Sequence, residues 1–397
     1  MSPRPGDLVS GAGRMLQAAM WLPIGHLAAV SLAGSQRPPP FEPRTPRHCF
    51  VVLIPARNEQ GQIATPVRSA LGSRYPAALR RVVVVADNCT DATAAAADAS
   101  GAEVWERTDP SRASKGAAVE WALERLAKDD GWDAVLFLDA DAEVDPDFLG
   151  VVDRRLAEGA AVVQGERHVT NAGDSLVARL AQVSSAAQCV LRPRGRARLG
   201  GAAKLVGNGM VIHRRVFDVC PWQADGLVED FEYWLELLAH GIHPVHEPGA
   251  VVSDLMPTDL ASARVQRSRW EAGRWSVLRD EAGRFARIAL RRRDPVMAEA
   301  VASELLFPNL SVTGALVAAA GLARWATTGR GARAAVAQSG VLVGHLVLSL
   351  RAAKAPPATY AALALAPGVA VWRMWITVEA MVKHRRLDWQ GTPRRAA

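Results

Sequence analysis

Apolar positions along the chain fall into two patterns. Near both ends they form long stretches without charge, and between those ends they form short runs broken by polar turns. The long stretches lie between Arg14 and Arg37, Glu304 and Arg324, Arg333 and Arg351, and Lys354 and Arg373. A bilayer core takes roughly 20 apolar residues as a helix. The first two stretches reach that length and the third falls slightly short. The fourth carries Pro356, Pro357 and Pro367 and runs into Trp372-Arg373-Met374-Trp375, a pattern that predicts an interfacial helix rather than a span. Two other readings stay open: buried helices of a soluble protein, and, for the first stretch, a signal peptide ending near Ser31–Gly34.

The flanking charge orients these segments. Arg37, Arg44 and Arg47 follow the first stretch, Arg291-Arg292-Arg293 precede the C-terminal pair, and Lys383, His384, Arg385 and Arg386 follow it. Basic flanks stay on the cytoplasmic side. The expected organisation is therefore a membrane anchor and linker over 1–47, a cytoplasmic domain over 48–290, and a transmembrane hairpin with an interfacial tail over 291–397. This describes a multi-pass protein of the cell inner or plasma membrane. Arg37–Pro46, with its prolines, is the linker.

Between the ends, Phe50–Ile54, Arg81–Val85 and Ala134–Leu138 read as strands buried on both faces, as in a parallel sheet. Each is followed by a polar turn and a helical stretch, such as Ala92–Ala99 or Val119–Lys128. This alternation predicts an α/β domain with a Rossmann-like, mostly parallel sheet. Ligands of such sheets bind at the carboxyl ends of the strands.

Composition narrows the class. The chain is 397 residues long, with 49% hydrophobic and 22% charged residues, so it is not a disordered protein. Cys49, Cys89, Cys189 and Cys220 are far apart, which excludes a disulfide scaffold and a thiolate zinc site. The net charge of +7 suits nucleic acid, an anionic membrane or a phosphorylated substrate. The arginines lie mainly beside apolar segments and no nucleic-acid module is present, so nucleic acid is not the partner.

The predicted strand ends carry the chemistry. They read Pro55-Ala56-Arg57-Asn58-Glu59, then Asp87-Asn88-Cys89-Thr90-Asp91, then Asp139-Ala140-Asp141. Residues i and i+2 of an extended chain point the same way, so Asp139 and Asp141 present two hard oxygen ligands suited to Mg2+ or Mn2+. Lys115-Gly116 precedes a helix and is placed to reach a diphosphate. Gly207-Asn208-Gly209 is a flexible turn, and Glu229-Asp230 leads into a helix over Phe231–His240. Gln266-Arg267-Ser268-Arg269-Trp270 lies in a basic, aromatic helical segment. Arg192, Arg194, Arg196, Arg198 and Lys204 form either a solvated loop or a contact with lipid headgroups.

In this order the motifs resemble the membrane-integrated family 2 glycosyltransferases of GT-A fold, relatives of cellulose and hyaluronan synthases. The resemblance covers about residues 48–275, and Trp372-Arg373, Trp389 and Thr392-Pro393-Arg394 are similar to the tail of bacterial members. It implies a nucleotide-diphosphate-sugar donor, a UDP- or GDP-sugar, and inversion at the anomeric carbon. By the same resemblance Pro55, Ala56, Arg57, Glu59 and Asp87 contact the base, and Asp139 holds the ribose or diphosphate. Asp141, with Asp139, takes the metal, and Asp230 is the general base. Gln266, Arg269 and Trp270 close over the diphosphate and line an acceptor site with Gly207, Asn208, Gly209 and Glu229.

Two departures bear on specificity. The acidic pair usual at the second strand is here Asp87 followed by Asn88, which weakens an assignment to uridine. The apolar C-terminal segments are few for a polymer channel. Transfer to a lipid-linked or polysaccharide acceptor therefore stands ahead of a processive synthase that extrudes a homopolymer. Retention of Asp139, Asp141, Asp230 and Gln266–Trp270 argues against a non-enzymatic membrane scaffold.

Overall fold

The computed structural model of the chain describes residues 5–38, 42, 44–306, 310–329 and 331–382. Trp389, Thr392–Arg394 and the basic run Lys383–Arg386 lie outside them. Eight strands form one sheet: β1 Phe50–Ala56, β2 Arg80–Asp87, β3 Glu103–Arg107, β4 Ala134–Phe137, β5 Ala142–Val144, β6 Val162–Val169, β7 Met210–His213 and β8 Val245–Asp254. Their spatial order is β3-β2-β1-β4-β7-β6-β8-β5.

The first half of the sheet is the parallel α/β unit expected from the apolar runs. β1 pairs in parallel with β2 and β4, and β2 with β3. The second half is mixed: β7 is antiparallel to β4 and β6, β5 is antiparallel to β8, and β6 and β8 are parallel. Alternate residues of the central strands feed two cores. Val51, Leu53, Val83, Val85 and Phe137 pack on one face, and Phe50, Val52, Ile54, Val84 and Leu136 on the other. Burial on both faces is why these strands are continuously apolar.

Helices cover both faces of the sheet and make up the two ends of the described chain. α1 (Pro5–Ala19) and α2 (Trp21–Gly34) precede the sheet; α3 (Ala64–Leu71), α4 (Thr93–Ala99), α5 (Lys115–Leu126) and α6 (Phe148–Ala157) connect its strands. α5 starts earlier than its apolar pattern indicates because Ser114 Oγ accepts the Ala117 N–H and caps it. α7 (Leu176–Ser185) continues through a π-helical segment, Ala186–Leu191, into α8 (Arg192–Arg198). α9 (Arg215–Val219) and α10 (Glu229–Ala239) lead to the long α11 (Leu260–Arg292), capped by Asp259. α12 (Pro295–Leu306), α13 (Leu310–Thr328), α14 (Ala332–Ala352), α15 (Pro357–Ala361) and α16 (Ala366–Val382) complete the described chain.

Four segments are helical, long and apolar enough to cross a membrane: Gly11–Gly34, Leu310–Thr328, Ala332–Ala352 and Pro357–Met381. In the fourth, expected to be an interfacial helix, the prolines stand at helix starts: Pro356 precedes α15, Pro357 opens it, and Pro367 falls in the first turn of α16. A missing N–H costs nothing there.

The two ends of the chain form one bundle against the domain. Met20 and Ile24 pack with Val317, and Ser31 Oγ lies 2.8 Å from His345 Nδ1. α2 lies directly on α8. Gly195 abuts the Val30 carbonyl so closely that any Cβ there would collide with backbone.

The arginine-rich stretch after residue 191 is not a solvated loop. Arg194 makes a two-pronged contact with the buried Glu166 at 2.6 and 2.7 Å, and Arg196 bonds Glu299 of α12 at 2.6 Å. Arg198 donates to the Ala33, Gln36 and Arg37 carbonyls, and Lys204 reaches Glu304 at 2.9 Å. These cations tie the sheet to α2 and α12.

Candidate active site

The carboxyl ends of β1 and β4, the start of α10 and the first half of α11 surround a cavity of about 320 Å³. Of the residues expected to act, Pro55, Arg57, Glu59, Lys115, Asp139, Asp141, Gly207, Glu229, Asp230, Gln266, Arg269 and Trp270 line it. They come from segments more than 200 residues apart in sequence, brought together by the sheet order.

Ala56, Asp87, Asn208 and Gly209 are not among the lining residues. Asp87 is 2% exposed and bonds Arg107 of β3 at 2.5 Å; Arg107 also holds Asp109 at 2.9 Å. Asn208 is fully buried. Its Oδ1 accepts the Asp139 N–H at 3.3 Å and its carbonyl accepts from Gln164 at 2.9 Å. Gly209 donates to the Phe137 carbonyl at 2.9 Å. The Gly207–Gly209 turn thus supports the backbone of the Asp139–Asp141 segment from behind.

The polar loops are fastened to one another. Asn58 and Asn88 both adopt positive φ, 55° and 50°, which asparagine tolerates. Asn58 Oδ1 accepts the Thr90 N–H at 2.8 Å and Asn88 Oδ1 the Asp109 N–H at 2.8 Å. Asp91 accepts the Thr93 N–H at 3.0 Å at the start of α4, and Thr93 Oγ1 accepts the Glu59 N–H at 2.8 Å. This last bond aligns the β1 loop with the β2 loop.

Lys115, expected to reach a diphosphate, lines the cavity and is held there by two carboxylates. Its Nζ lies 2.6 Å from Asp139 Oδ1 and 3.2 Å from Glu229 Oε1. Burial alone would depress the ammonium, but these two carboxylates outweigh it and raise its pKa. Burial likewise pushes Asp139 up, yet Lys115, with Arg167 and Arg269, holds it below the usual carboxylate range.

Asp230 behaves in the opposite way. Burial first, and then the Glu229 carboxylate, push it up to about 7, against the pull of Lys115 and of the Phe231 N–H. Gly207, at φ 75°, leaves room for it: a Cβ there would sit 3.2 Å from Asp230 Oδ2 and 3.6 Å from Lys115 Nζ.

Sequence reasoning missed two residues of the site. Ala142, next to Asp141, pairs with Asp254 at the end of β8. Asp254 is ion-paired with Arg167 of β6, and burial pushes its carboxyl up to about 6. Arg167 also lies 5.9 Å from the Trp270 ring. The run Gly249–Val252 before Ser253-Asp254 is a strand-end signal of the same kind as the one before Asp139. Arg167 gives none, because β6 mixes Gln, Glu, Arg and His.

Asp139 and Asp141 are hard oxygen donors at a strand end, which fits a divalent cation whose remaining ligands arrive with a diphosphate. Among the described residues, no group of three or more His, Cys, Asp or Glu side chains forms a complete metal shell. His246 is buried 3.5 Å from Glu166 and does not line the cavity.

Residues 46–273 match the model of the family described as glycosyltransferase-like family 2. The chain belongs to the family 2 glycosyltransferases. A β-monoglucosyldiacylglycerol synthase of Nostoc sp. is 26% identical over 231 residues, covering 56% of this chain and 48% of that protein. The probable glycosyltransferase YdaM of Bacillus subtilis is 26% identical over 254 residues, covering 61% of this chain and 59% of its own. The chain thus spans about half the length of the curated relatives it matches. Among solved structures, the mannosyltransferase PcManGT from Pyrobaculum calidifontis, in complex with GDP-Man and Mn2+, superposes with a TM-score of 0.62 at 16% identity, covering 95% of this chain and all of that one. At that identity the likeness shows the fold. For a family 2 glycosyltransferase it extends beyond the sheet to nearly the whole chain.

Proposed function

We propose that the protein transfers a sugar, with inversion, from a UDP- or GDP-sugar to a lipid-linked or glycan acceptor at the cytoplasmic face of the membrane. The observation that carries this reading is the convergence of Asp139, Asp141 and Asp230 with Gln266, Arg269 and Trp270 on one cavity. The names of two relatives add to it: a β-monoglucosyldiacylglycerol synthase for the acceptor side, and a mannosyltransferase in complex with GDP-Man and Mn2+ for the donor side.

In this reading Pro55, Arg57 and Glu59 receive the nucleoside, and Ala56 and the Arg107-held Asp87 support that strand end. Asp141, with Asp139, holds Mg2+ or Mn2+, which neutralises charge on the diphosphate when bound. Arg269 adds a fixed positive charge beside the leaving group. Gln266 and Trp270 close the site. Glu229, Lys115 and the Gly207–Gly209 turn fix the geometry around Asp230.

The acceptor hydroxyl oxygen attacks the anomeric carbon from the face opposite the diphosphate. The bond from that carbon to the diphosphate oxygen breaks, its electron pair leaves with the nucleoside diphosphate, and the hydroxyl proton passes to Asp230. A carboxylate raised toward neutral pH is a stronger base than an ordinary aspartate, which suits this role.

The test is donor hydrolysis by the purified protein across a panel of nucleotide sugars, followed by mass analysis of lipid-extractable product. One added sugar supports transfer to a lipid. A long homopolymer points to the processive synthase, and absence of turnover with every donor overturns the reading.

A further inference from the structure

The cavity extends past the residues assigned to donor and base. Its far side is formed by α7, the π-helical segment, α11 and α16, and it is rich in cations. Most are matched by carboxylates. Arg167 pairs with Asp254, Lys204 and Arg274 share Glu304 at 2.9 and 3.3 Å, and Arg196 meets Glu299 at 2.6 Å.

Arg192, Arg267 and Arg373 differ: among the described residues, none of the three has a carboxylate oxygen within 4.0 Å, and Arg267 and Arg373 are the two held near each other. Arg267 lies over the Trp270 ring, 5.2 Å from its centroid, and Arg373 Nη1 donates to Ser184 Oγ at 3.0 Å. Burial, and then the field of Arg373, push Arg267 down to about 9, with Glu271 as the main opposing charge. One carboxylate does not balance two guanidiniums, of which Arg267 also faces Arg167. Arg373 faces the same cavity from α16, where a buried guanidinium without a full counter-charge is costly.

We propose that Arg267 and Arg373 form a phosphate subsite, separate from the donor diphosphate region at Asp141 and Arg269, that holds the phosphate of an anionic acceptor. This deepens the sugar-transfer reading and rests on it. Planar guanidiniums bind phosphate oxygens two at a time, and the Ser184 hydroxyl supplies a further donor.

The experiment measures binding by the full chain in a neutral detergent, with dioctanoyl phosphatidate, dioctanoylglycerol and glycerol 3-phosphate as probes. Phosphatidate is expected to bind at least tenfold more tightly than dioctanoylglycerol. Arg267→Gln or Arg373→Gln should each remove roughly 10- to 100-fold of that affinity, while Arg267→Lys, which keeps the charge and the fold, retains part of it. If glycerol 3-phosphate binds as well as phosphatidate, the subsite stands and its ligand is a soluble phosphate. Equal binding of dioctanoylglycerol and phosphatidate overturns the proposal, as does phosphatidate binding that ignores both substitutions. Substitutions that weaken GDP or UDP binding in Mg2+ rather than phosphatidate binding also overturn it, by assigning the pair to the donor. Failure of the sugar-transfer reading appears separately, as absence of nucleotide binding by the unsubstituted protein.

Discussion

Lys115 Nζ lies 2.6 Å from Asp139 Oδ1, so an ammonium from the start of α5 sits against the first carboxylate of the Asp139–Asp141 pair. The same ammonium reaches Glu229 and lowers the pKa of Asp230. Asp230 accepts a proton only when ionised, so activity should rise with pH through about 7. Lys115→Met removes a charge that favours the anion, and the acid limb of kcat/KM should move to higher pH. Glu229→Gln removes a charge that disfavours it, and the limb should move to lower pH. Profiles that stay put in both variants would sink the electrostatic account of Asp230.

Asp230→Asn keeps the shape of the side chain but cannot take a proton. Transfer should fall by roughly 10²- to 10⁴-fold while donor binding persists. Equilibrium nucleotide binding and single-turnover transfer, measured on the same variant, separate the two. Loss of donor binding with normal turnover of bound donor would make Asp230 a binding residue and leave Glu229 as the candidate base.

Gly207 and Gly200 allow a controlled comparison. Both have positive φ, 75° and 80°, but a Cβ at Gly207 meets Asp230 whereas one at Gly200 meets nothing within 4 Å. Replacing either with alanine places an L side chain in the left-handed region, costing about 1–2 kcal/mol. Thermal unfolding should show similar losses for the two. Turnover should fall more than tenfold only in Gly207→Ala.

How much of this was readable from sequence depends on how each element is buried. β1, β2 and β4 are covered on both faces, so their residues are continuously apolar and stand out. β3 reads Glu-Val-Trp-Glu-Arg and β6 ends in Glu-Arg-His-Val, because these strands carry buried ion pairs. Arg107 and Arg167 went unseen for that reason, although one fixes Asp87 and the other Asp254. The arginines of α8 read as solvated or lipid-facing because their partners, Glu166 and Glu299, are remote in sequence. The order of the chemical motifs was legible, since each sits at the end or start of an element. The bond from Lys115 to Asp139 was not, because it depends on the path of α5 over the sheet.

Removal of the metal should act through Asp141. Asp141→Asn is expected to abolish turnover and the Mg2+- or Mn2+-dependent part of nucleotide binding while leaving thermal unfolding nearly unchanged, since the side chain lines the cavity rather than the core. Calorimetric titration of nucleotide with and without the cation checks this. Full activity in a chelator would count against any role for the ion.

The membrane arrangement gives the last prediction. If the domain between Gly34 and Leu310 is cytoplasmic, the turn joining α13 and α14 at Gly329 lies outside and Lys354 lies inside. The fourth apolar helix decides the side on which the basic tail emerges. A full crossing by Pro357–Met381 would carry Lys383–Arg386 outward, against the usual retention of basic flanks. A helix that tilts along the domain keeps them inside: α16 packs on α13 and also on α11, and Arg264 of α11 reaches both Trp375 and Glu379. Trp375 and Glu379 lie in the C-terminal half of α16, so the end of the helix is held beside a helix of the domain. Cysteine labelling in intact cells should therefore find Ser111→Cys, Lys354→Cys and a cysteine added at the C-terminus protected, and Gly329→Cys reactive. A reactive C-terminal probe with a protected Lys354→Cys makes the fourth helix a span. A reactive Ser111→Cys inverts the whole arrangement and moves the donor site away from the cytoplasmic nucleotide sugars.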